Sequence, residues 1–385
     1  MDRVCPNEKC TGCSACISKC PVSAIKLVDA FDKVYTEIDN KLCINCGLCK
    51  QVCATLNPVE KIEPKLWYEG WTNNKIIRES SSSGGIASEL IIGFIKSGGY
   101  VCSCYFDNGL FSFHLTNNID EARKFAGSKY VKSNMLSSFK NIEKLLNNGE
   151  KVLFVGLPCQ VASIKQYINK DLQGKLYCVD LICHGTPSYE LLNYYLMQHG
   201  ISINKVDDIR FRTKNTSCLD YNSISYKGTV DRYLLSFLNA INYTENCYNC
   251  KYASRERVSD ITLGDNWGTE LTNELSSGLS LILCMTEKGR ELLSSVDLIL
   301  FETNIEKAIK ANGQLSRPCS MPTNRKAFFT GISNGLNYDK LVLKILPKQS
   351  VKQIIKRWLL RVGLRRSVGG YGIQYKYSDY PNEKL

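Results

Sequence analysis

Apolar and polar positions along this chain change period several times, and each change marks an element. Ile86, Leu90, Ile91, Phe94 and Ile95 recur at helical spacing, which predicts a helix beginning just after a serine-rich turn. Gly98 and Gly99 end it, and strands are predicted near Tyr100–Phe106 and Phe111–Leu115. A helix near Leu136–Asn147 leads into KVLFVGLPCQVASIKQYI, read as a buried strand, a sharp turn and a helix. KLYCVDLICHGTPSYELLNYYL repeats that order, so these are α/β units with a parallel component. From Val206 the pattern turns to alternating strands, IRFR and SISYKG, then VSDITLGDNWG, LSLILCMT and a helix. Residues 57–75 hold Pro58 and Pro64 with little periodicity and read as a linker.

The last periodic stretch is KQSVKQIIKRWLLRVGLRRS. Val351, Ile354, Ile355, Trp358, Leu359 and Val362 fall near one helical face, flanked or opposed by Lys352, Lys356, Arg357, Arg361, Arg365 and Arg366. Three readings stay open: a helix packing its apolar face on the body, one lying in a membrane interface with its bases near anionic headgroups, or one docking to an acidic partner. The charge pattern bears on this. Of the net +12, the segment from Lys340 onward carries eleven Lys/Arg against two Asp/Glu. The excess belongs mainly to this segment, and no nucleic-acid partner is expected. No apolar run is long enough to span a bilayer. The opening MDRVCPNEKC has no apolar h-region, so no signal peptide is expected.

At 385 residues, two or three domains are expected, and nineteen cysteines need an explanation. CTGCSACISKCP and CINCGLCKQVCA supply one. Each has the spacing C-x2-C-x2-C-x3-C, and the second starts 33 positions after the first. In such a run three close thiolates grip one iron–sulfur cluster and the fourth ligates the other. The assignment is therefore Cys10, Cys13, Cys16 and Cys53 to one 4Fe–4S cluster, and Cys43, Cys46, Cys49 and Cys20 to the second. Gly12 and Gly47 suit a backbone turning closely around sulfide. Pro21 follows the first quartet, whereas Ala54 takes that place after the second. Zinc sites favour paired C-x2-C units with longer gaps, and disulfides need an oxidising compartment. The stretch resembles the bacterial-type dicluster ferredoxin domain, which relays single electrons. A reducing, cytoplasmic location is expected, with peripheral contact on the inner membrane face under the second reading of the basic helix.

Four further cysteines lie at element ends. Cys159 sits in GLPCQ, Cys183 in LICHG, and Cys247 and Cys250 form C-x2-C in NCYNCKY. Together they can make a four-thiolate site at strand C-termini, where α/β sheets bind ligands. Alternatives remain: Cys159 as a nucleophile at a helix N-terminus, or the C-x2-C pair as a zinc or redox motif. Cysteines 102, 104, 178, 218, 284 and 319 read as small core hydrophobes, and Cys5 needs no cluster role. There is no G-x-S-x-G, no G-x-G-x-x-G, and only three histidines, so hydrolytic triads and a nicotinamide Rossmann site are poor candidates.

SSSGG, GSKYV, GLPCQ, DLICHG, the C-x2-C pair and SDITLGDNWG, in this order, resemble the beta subunit of the coenzyme F-420 hydrogenase/dehydrogenase family, over about Ser80 to Arg317. The resemblance implies a third 4Fe–4S cluster on Cys159, Cys183, Cys247 and Cys250. It also implies FAD and transfer of electrons between one-electron carriers and a two-electron acceptor. For the flavin, Ser81, Ser82, Ser83, Gly84 and Gly85 precede a helix and could hold a pyrophosphate. Gly127, Ser128 and Lys129 could meet a phosphate or the ring, and Asp265 and Asn266 a ribose or ring edge. A helix cap, an exposed turn and a strand-end turn are the alternatives. The fold expected is α+β and α/β: a ferredoxin-like dicluster domain (1–60), a linker (61–79), a mixed α/β flavin- and cluster-binding body (80–330) and a basic tail with an amphipathic helix (331–385). An oxidoreductase is expected, with a redox partner protein (a ferredoxin or a catalytic subunit). The alternative is an electron-transfer subunit without its own substrate.

Overall fold

The structure is a computed structural model, and it describes residues 3–212, 221–226, 228–365 and 371–377. Cys218, expected in the core, lies outside them. The N-terminal unit has one hairpin, β1 (Ile25–Asp29) and β2 (Val34–Ile38), in antiparallel register. Its own core is small: Val4, Ile25 and Ile38 around Cys5, Cys10, Cys16 and Cys53. Few apolar side chains are available to such a unit, so what the cysteines hold must complete it.

The body is built on an eight-stranded mixed sheet. Its members are β3 (Leu66–Thr72), β4 (Tyr100–Asp107), β5 (Leu110–Thr116), β6 (Val152–Gly156), β7 (Leu176–Leu181), β10 (Ile261–Asp265), β11 (Ser280–Cys284) and β12 (Leu298–Glu302). They run in the order β12-β3-β11-β10-β7-β6-β4-β5, with β4, β6, β7 and β10 mutually parallel. Buried on both faces, β6 reads VLFVG without polar alternation. Val152 and Phe154 enter a core shared with the helices Ser138–Asn147 and Pro158–Tyr167. Leu153 and Val155 enter the opposite one, closed by the helices Ile86–Lys96 and Glu287–Ser294. Ala15, Val52 and Ala54 of the N-terminal unit pack into the first of these cores, so that unit serves as one layer of the body. Lys19 pairs with Glu143 at 3.3 Å, and the Gln166 amide donates to the Gln51 carbonyl at 2.9 Å across the same seam.

A third core lies between the helices Tyr189–Gln198, Arg232–Leu238, Arg325–Ser333 and Tyr338–Ile345, and holds Phe211 and Ile373. Those two come from a three-stranded sheet of β8 (Asp208–Arg212), β9 (Asn222–Ser223) and β13 (Tyr371–Lys376), in the order β8-β13-β9.

The mixed α/β architecture agrees with the reading from periodicity, with two corrections. The expected linker 61–79 contains β3, which lies between β12 and β11 inside the main sheet. The sequence LWYEGWT hides it because Glu69 and Gly70 break the apolar pattern. Glu69 is buried and accepts a hydrogen bond from the Asn266 amide. At Gly70 a Cβ would stand 2.1 Å from the Ile299 carbonyl oxygen, so the close approach of β12 requires glycine. The expected tail 331–385 is also more than a tail: β13 returns to the body, and Ile373 is fully buried.

Candidate functional site

The two N-terminal quartets wind through matching backbone. Gly12 and Ser14 of the first have φ +67° and +67°, and Asn45 and Gly47 at the same register of the second have +55° and +78°. Left-handed residues between consecutive cysteines wrap the chain tightly enough for three thiols to face inward. The surroundings differ. Cys10, Cys16 and Cys53 are buried, whereas Cys46 is exposed and Cys20, Cys43 and Cys49 are half-buried. The second cradle opens between Val22, Ile38 and Ile44. The Ala24 N–H points at Cys20 Sγ at 3.3 Å.

The body cysteines arrive from three directions. Cys159 follows β6 in the first turn of the helix Pro158–Tyr167, Cys183 stands just beyond β7, and Cys247 and Cys250 flank the end of the short turn Glu245–Asn249. They line one cavity of about 310 Å³, and Cys13 lines it too. Gly185, with φ +138°, lets the chain leave Cys183 past the Tyr243 ring. A Cβ there would lie 2.3 Å from Tyr243 Cδ2. Burial pushes the thiols of Cys159, Cys183 and Cys250 upward, and the neighbouring thiols add to it. Such a pocket cannot hold four thiolates without a compensating positive charge, which iron supplies. The donor set therefore fits an iron–sulfur cluster. It does not fit a reactive Cys159, whose thiol would need a lowered pKa. Among the described residues no group of three or more His, Cys, Asp or Glu is placed to hold a metal ion. A cubane spreads its four thiolates over four irons, wider than the ligands of one zinc.

Two neighbours of these thiols were given no part in the sequence reading. Cys5 is buried in one small core with Cys10 and Cys53, and its neighbouring thiol pulls both below the ordinary thiol range, to about 7 and about 6. Burial, in contrast, pushes Cys13 up to about 11. Lys132 lines the shared cavity, donates to the Thr11 carbonyl at 2.9 Å and to Asn246 at 3.3 Å, and lowers both Cys10 and Cys159 through its charge. It lies three residues beyond Lys129 in GSKYVKS, so spacing alone could not separate the two lysines.

The loops expected to meet a flavin gather at the carboxyl ends of the parallel strands. The Ser128 N–H donates to Ser82 Oγ at 3.0 Å, joining the SSSGG and GSK turns. Ser83 Oγ donates to the Leu279 carbonyl, the Gly84 N–H donates to Ser280 Oγ, and Gly84 and Gly85 fit against Gly70 and Thr72. These side chains anchor the loop to β3 and β11. Lys129 folds inward onto the carbonyls of Phe125, Ala126 and Gly127. Asn266 is buried, donating to Glu69 and Thr303, and Asp265 pairs with Arg212 at 2.5 Å. The structure thus groups the expected residues at one edge of the sheet, joined to each other through Ser82 and Ser128 and with their other side chains engaged by the surrounding fold.

Residues 9–57 match the model of the 4Fe-4S dicluster domain. Residues 149–304 match that of the C terminus of the coenzyme F420 hydrogenase/dehydrogenase beta subunit. The chain joins a dicluster domain to an F420 hydrogenase/dehydrogenase beta-subunit region. The coenzyme F420-dependent sulfite reductase of Methanocaldococcus jannaschii is 26% identical over 325 residues, covering 77% of this chain and 47% of the relative. This chain therefore spans about half the length of that relative. An uncharacterized protein from the rpl9-rpl11 intergenic region of Porphyra purpurea is 37% identical over 70 residues, 17% of this chain and 93% of the relative. A chain of the F420-reducing [NiFe] hydrogenase complex from Methanosarcina barkeri superposes with a TM-score of 0.48 and 18% identity, covering 71% of this chain and 94% of that one. The chain is an iron–sulfur, electron-transfer, oxidoreductase-type protein.

Proposed function

We propose that this chain passes electrons inward from a redox partner protein, through the dicluster domain and a third cluster on Cys159, Cys183, Cys247 and Cys250, to FAD and a two-electron acceptor. One observation carries the reading: Cys13 of the dicluster domain and all four body cysteines line a single cavity. The exposed cradle around Cys46 serves as the entry, and the buried one as the exit toward the body. When bound, the clusters supply single-electron steps and the flavin joins them to a two-electron reaction. Lys132 holds the Thr11 carbonyl and offsets negative charge on both sides of the cavity. The buried ring of Tyr252 lines the cavity with Cys13, Cys159 and Cys250 and gives it an apolar wall.

The flavin is supported by the junction of the SSSGG and GSK turns at the carboxyl edge of the sheet, where α/β folds bind ligands. The engaged side chains leave this chain's backbone as its contact surface, and no step is derived through the flavin.

A second reading, a subunit without its own substrate that serves a catalytic partner, is favoured by the candidate flavin loops, whose polar side chains are engaged in holding the fold together. Anaerobic full-length protein tests both. About twelve irons with matching sulfide, and a flavin, are expected. Oxidation of the reduced protein by coenzyme F420 or another small two-electron acceptor supports the enzyme reading. Oxidation only by a partner protein supports the subunit reading. Eight irons and no flavin would sink the proposal.

A further inference from the structure

The C-terminal helix Pro347–Arg361 is turned inside out. Its polar side meets the body: Ser350 is fully buried, and Gln353 accepts a hydrogen bond from the Val230 N–H at 3.2 Å. Arg357 and Arg361 lie over the Tyr226 ring at 5.8 and 5.3 Å. Its apolar side faces solvent, with Val351 47%, Ile354 51%, Ile355 53%, Trp358 59% and Val362 49% exposed. At 100° per residue, these five and Leu359 span an arc of roughly 140°. The reading that puts the apolar face on the body is thus reversed, because the body offers this helix polar and aromatic partners.

An exposed apolar stripe on a helix asks for an occupant. Charge names it. Lys352 borders the stripe on one side and Arg361 on the other, Lys348 stands on the same face one turn before Val351, Lys344 precedes the stripe and Arg365 follows. No Asp or Glu occurs from Lys340 to Tyr377. Trp358 lies mid-stripe, an apolar ring with one polar N–H, suited to the boundary between headgroups and acyl chains. A protein groove would satisfy the apolar stripe alone; a sheet of anionic headgroups over acyl chains satisfies stripe and flanks together. No helix among the described residues is long and apolar enough to cross a membrane, so the contact would lie along the surface.

We propose that the helix Pro347–Arg361 docks the protein on an anionic lipid bilayer, inserting Val351, Ile354, Ile355, Trp358 and Val362 while Lys348, Lys352 and Arg361 meet the headgroups. This is independent of the electron route.

The test uses full-length, cluster-loaded protein and vesicles of phosphatidylcholine with or without phosphatidylglycerol. The wild type is expected to co-sediment with the anionic vesicles at low salt, less at high salt, and little with the neutral ones. Ile354→Asp/Trp358→Asp changes only solvent-facing side chains, and should keep its iron content and mass in solution while losing at least about tenfold in vesicle binding. Lys348→Glu/Lys352→Glu should weaken binding to anionic vesicles selectively. Wild-type protein left in the supernatant at low salt overturns the proposal, as does undiminished binding by Ile354→Asp/Trp358→Asp. A wild-type dimer that ignores vesicles and is split by that double variant overturns it in favour of a second copy as the occupant.

Discussion

The two cradles of the dicluster domain share a spacing and a backbone path, yet they live in different media. Around Cys46 the cradle faces solvent. Around Cys13 it is walled on one side by Val34 of its own hairpin and on the other by the body's Lys132, both against Gly12. The motif sets how a cluster is gripped, and the neighbouring domain sets the polarity and charge it experiences. An iron–sulfur protein can thus give two like sites unlike potentials without changing a ligand. It needs only to bury one of them against a partner layer.

The largest expected break in the comparison comes from removing one ligand on each side. Cys46→Ala should cost about four irons and leave the body iron in place, because no body residue lines the open cradle. Cys13→Ala should cost its own four and also open the shared cavity, so that a chelator strips the body iron faster than in Cys46→Ala. Equal chelation of body iron in the two variants would mean that the walls of the two sites are separate.

Glycine substitutions ask the same question of the backbone. At Gly47 a Cβ meets nothing within 4 Å, so Gly47→Ala should lose only the left-handed penalty, about 1–2 kcal/mol. At Gly12 the Cβ would sit 2.8 Å from Val34 Cγ1 and 3.3 Å from Lys132 Cδ. Overpacking there adds about 1–3 kcal/mol to the same penalty. Loss of cluster absorbance on heating should therefore come at clearly lower temperature for Gly12→Ala. If both variants melt together, Val34 yields freely and the wall is softer than this packing implies.

The difference between the cradles explains what was legible in the sequence. The eight N-terminal cysteines could be grouped because their chemistry is local: x2 and x3 spacers leave few geometries. The body cysteines are spread from 159 to 250 and meet only because β6 and β7 are adjacent parallel strands. Their element-end positions were visible, but their shared cavity with Cys13 was not. The helices and strands from Ile86 to Tyr167 were readable from period. Strand β3 was not, because Glu69 and Gly70 answer to partners in distant segments. Lys129, expected at a phosphate or ring, turns onto its own carbonyls, and Lys132, given no expected part, lines the cavity: only the fold decides between them.

Lys132 offers an electrostatic version of the comparison. Its ammonium reaches Cys10 and Cys159 but belongs to the buried side. Lys132→Met should make the inner and body clusters harder to reduce, while the outer cluster keeps its potential, as read by anaerobic titration with electron paramagnetic resonance. Lys132→Arg should restore the potentials in part. Equal shifts at all clusters would point to a general loosening of the seam at Thr11.

The smallest expected effect concerns Cys5, and it is visible only in the metal-free protein. Hydrogen bonding from Cys5 lowers Cys10 to about 7 and Cys53 to about 6, against an ordinary 9.0. Both groups are acids, so a lowered value means that thiolate forms at lower pH. Cluster assembly needs thiolates. Cys5 has one proton to share between Cys10 and Cys53 and their charges repel, so one of the two is readied as thiolate near neutral pH, while burial pushes Cys13 up to about 11 and the incoming iron must deprotonate it. Cys5→Ala removes the donor, and Cys10 and Cys53 return toward 9.0. Their thiolate fractions at pH 7 then fall, and the rate of inner-cluster reconstitution at that pH falls with them. The rate should recover as pH is raised toward 9, whereas the outer cluster, which Cys5 does not touch, should assemble with the wild-type pH dependence. An unchanged inner rate at pH 7 would show that deprotonation of Cys10 and Cys53 does not limit assembly, leaving Cys5 as packing beneath the cradle.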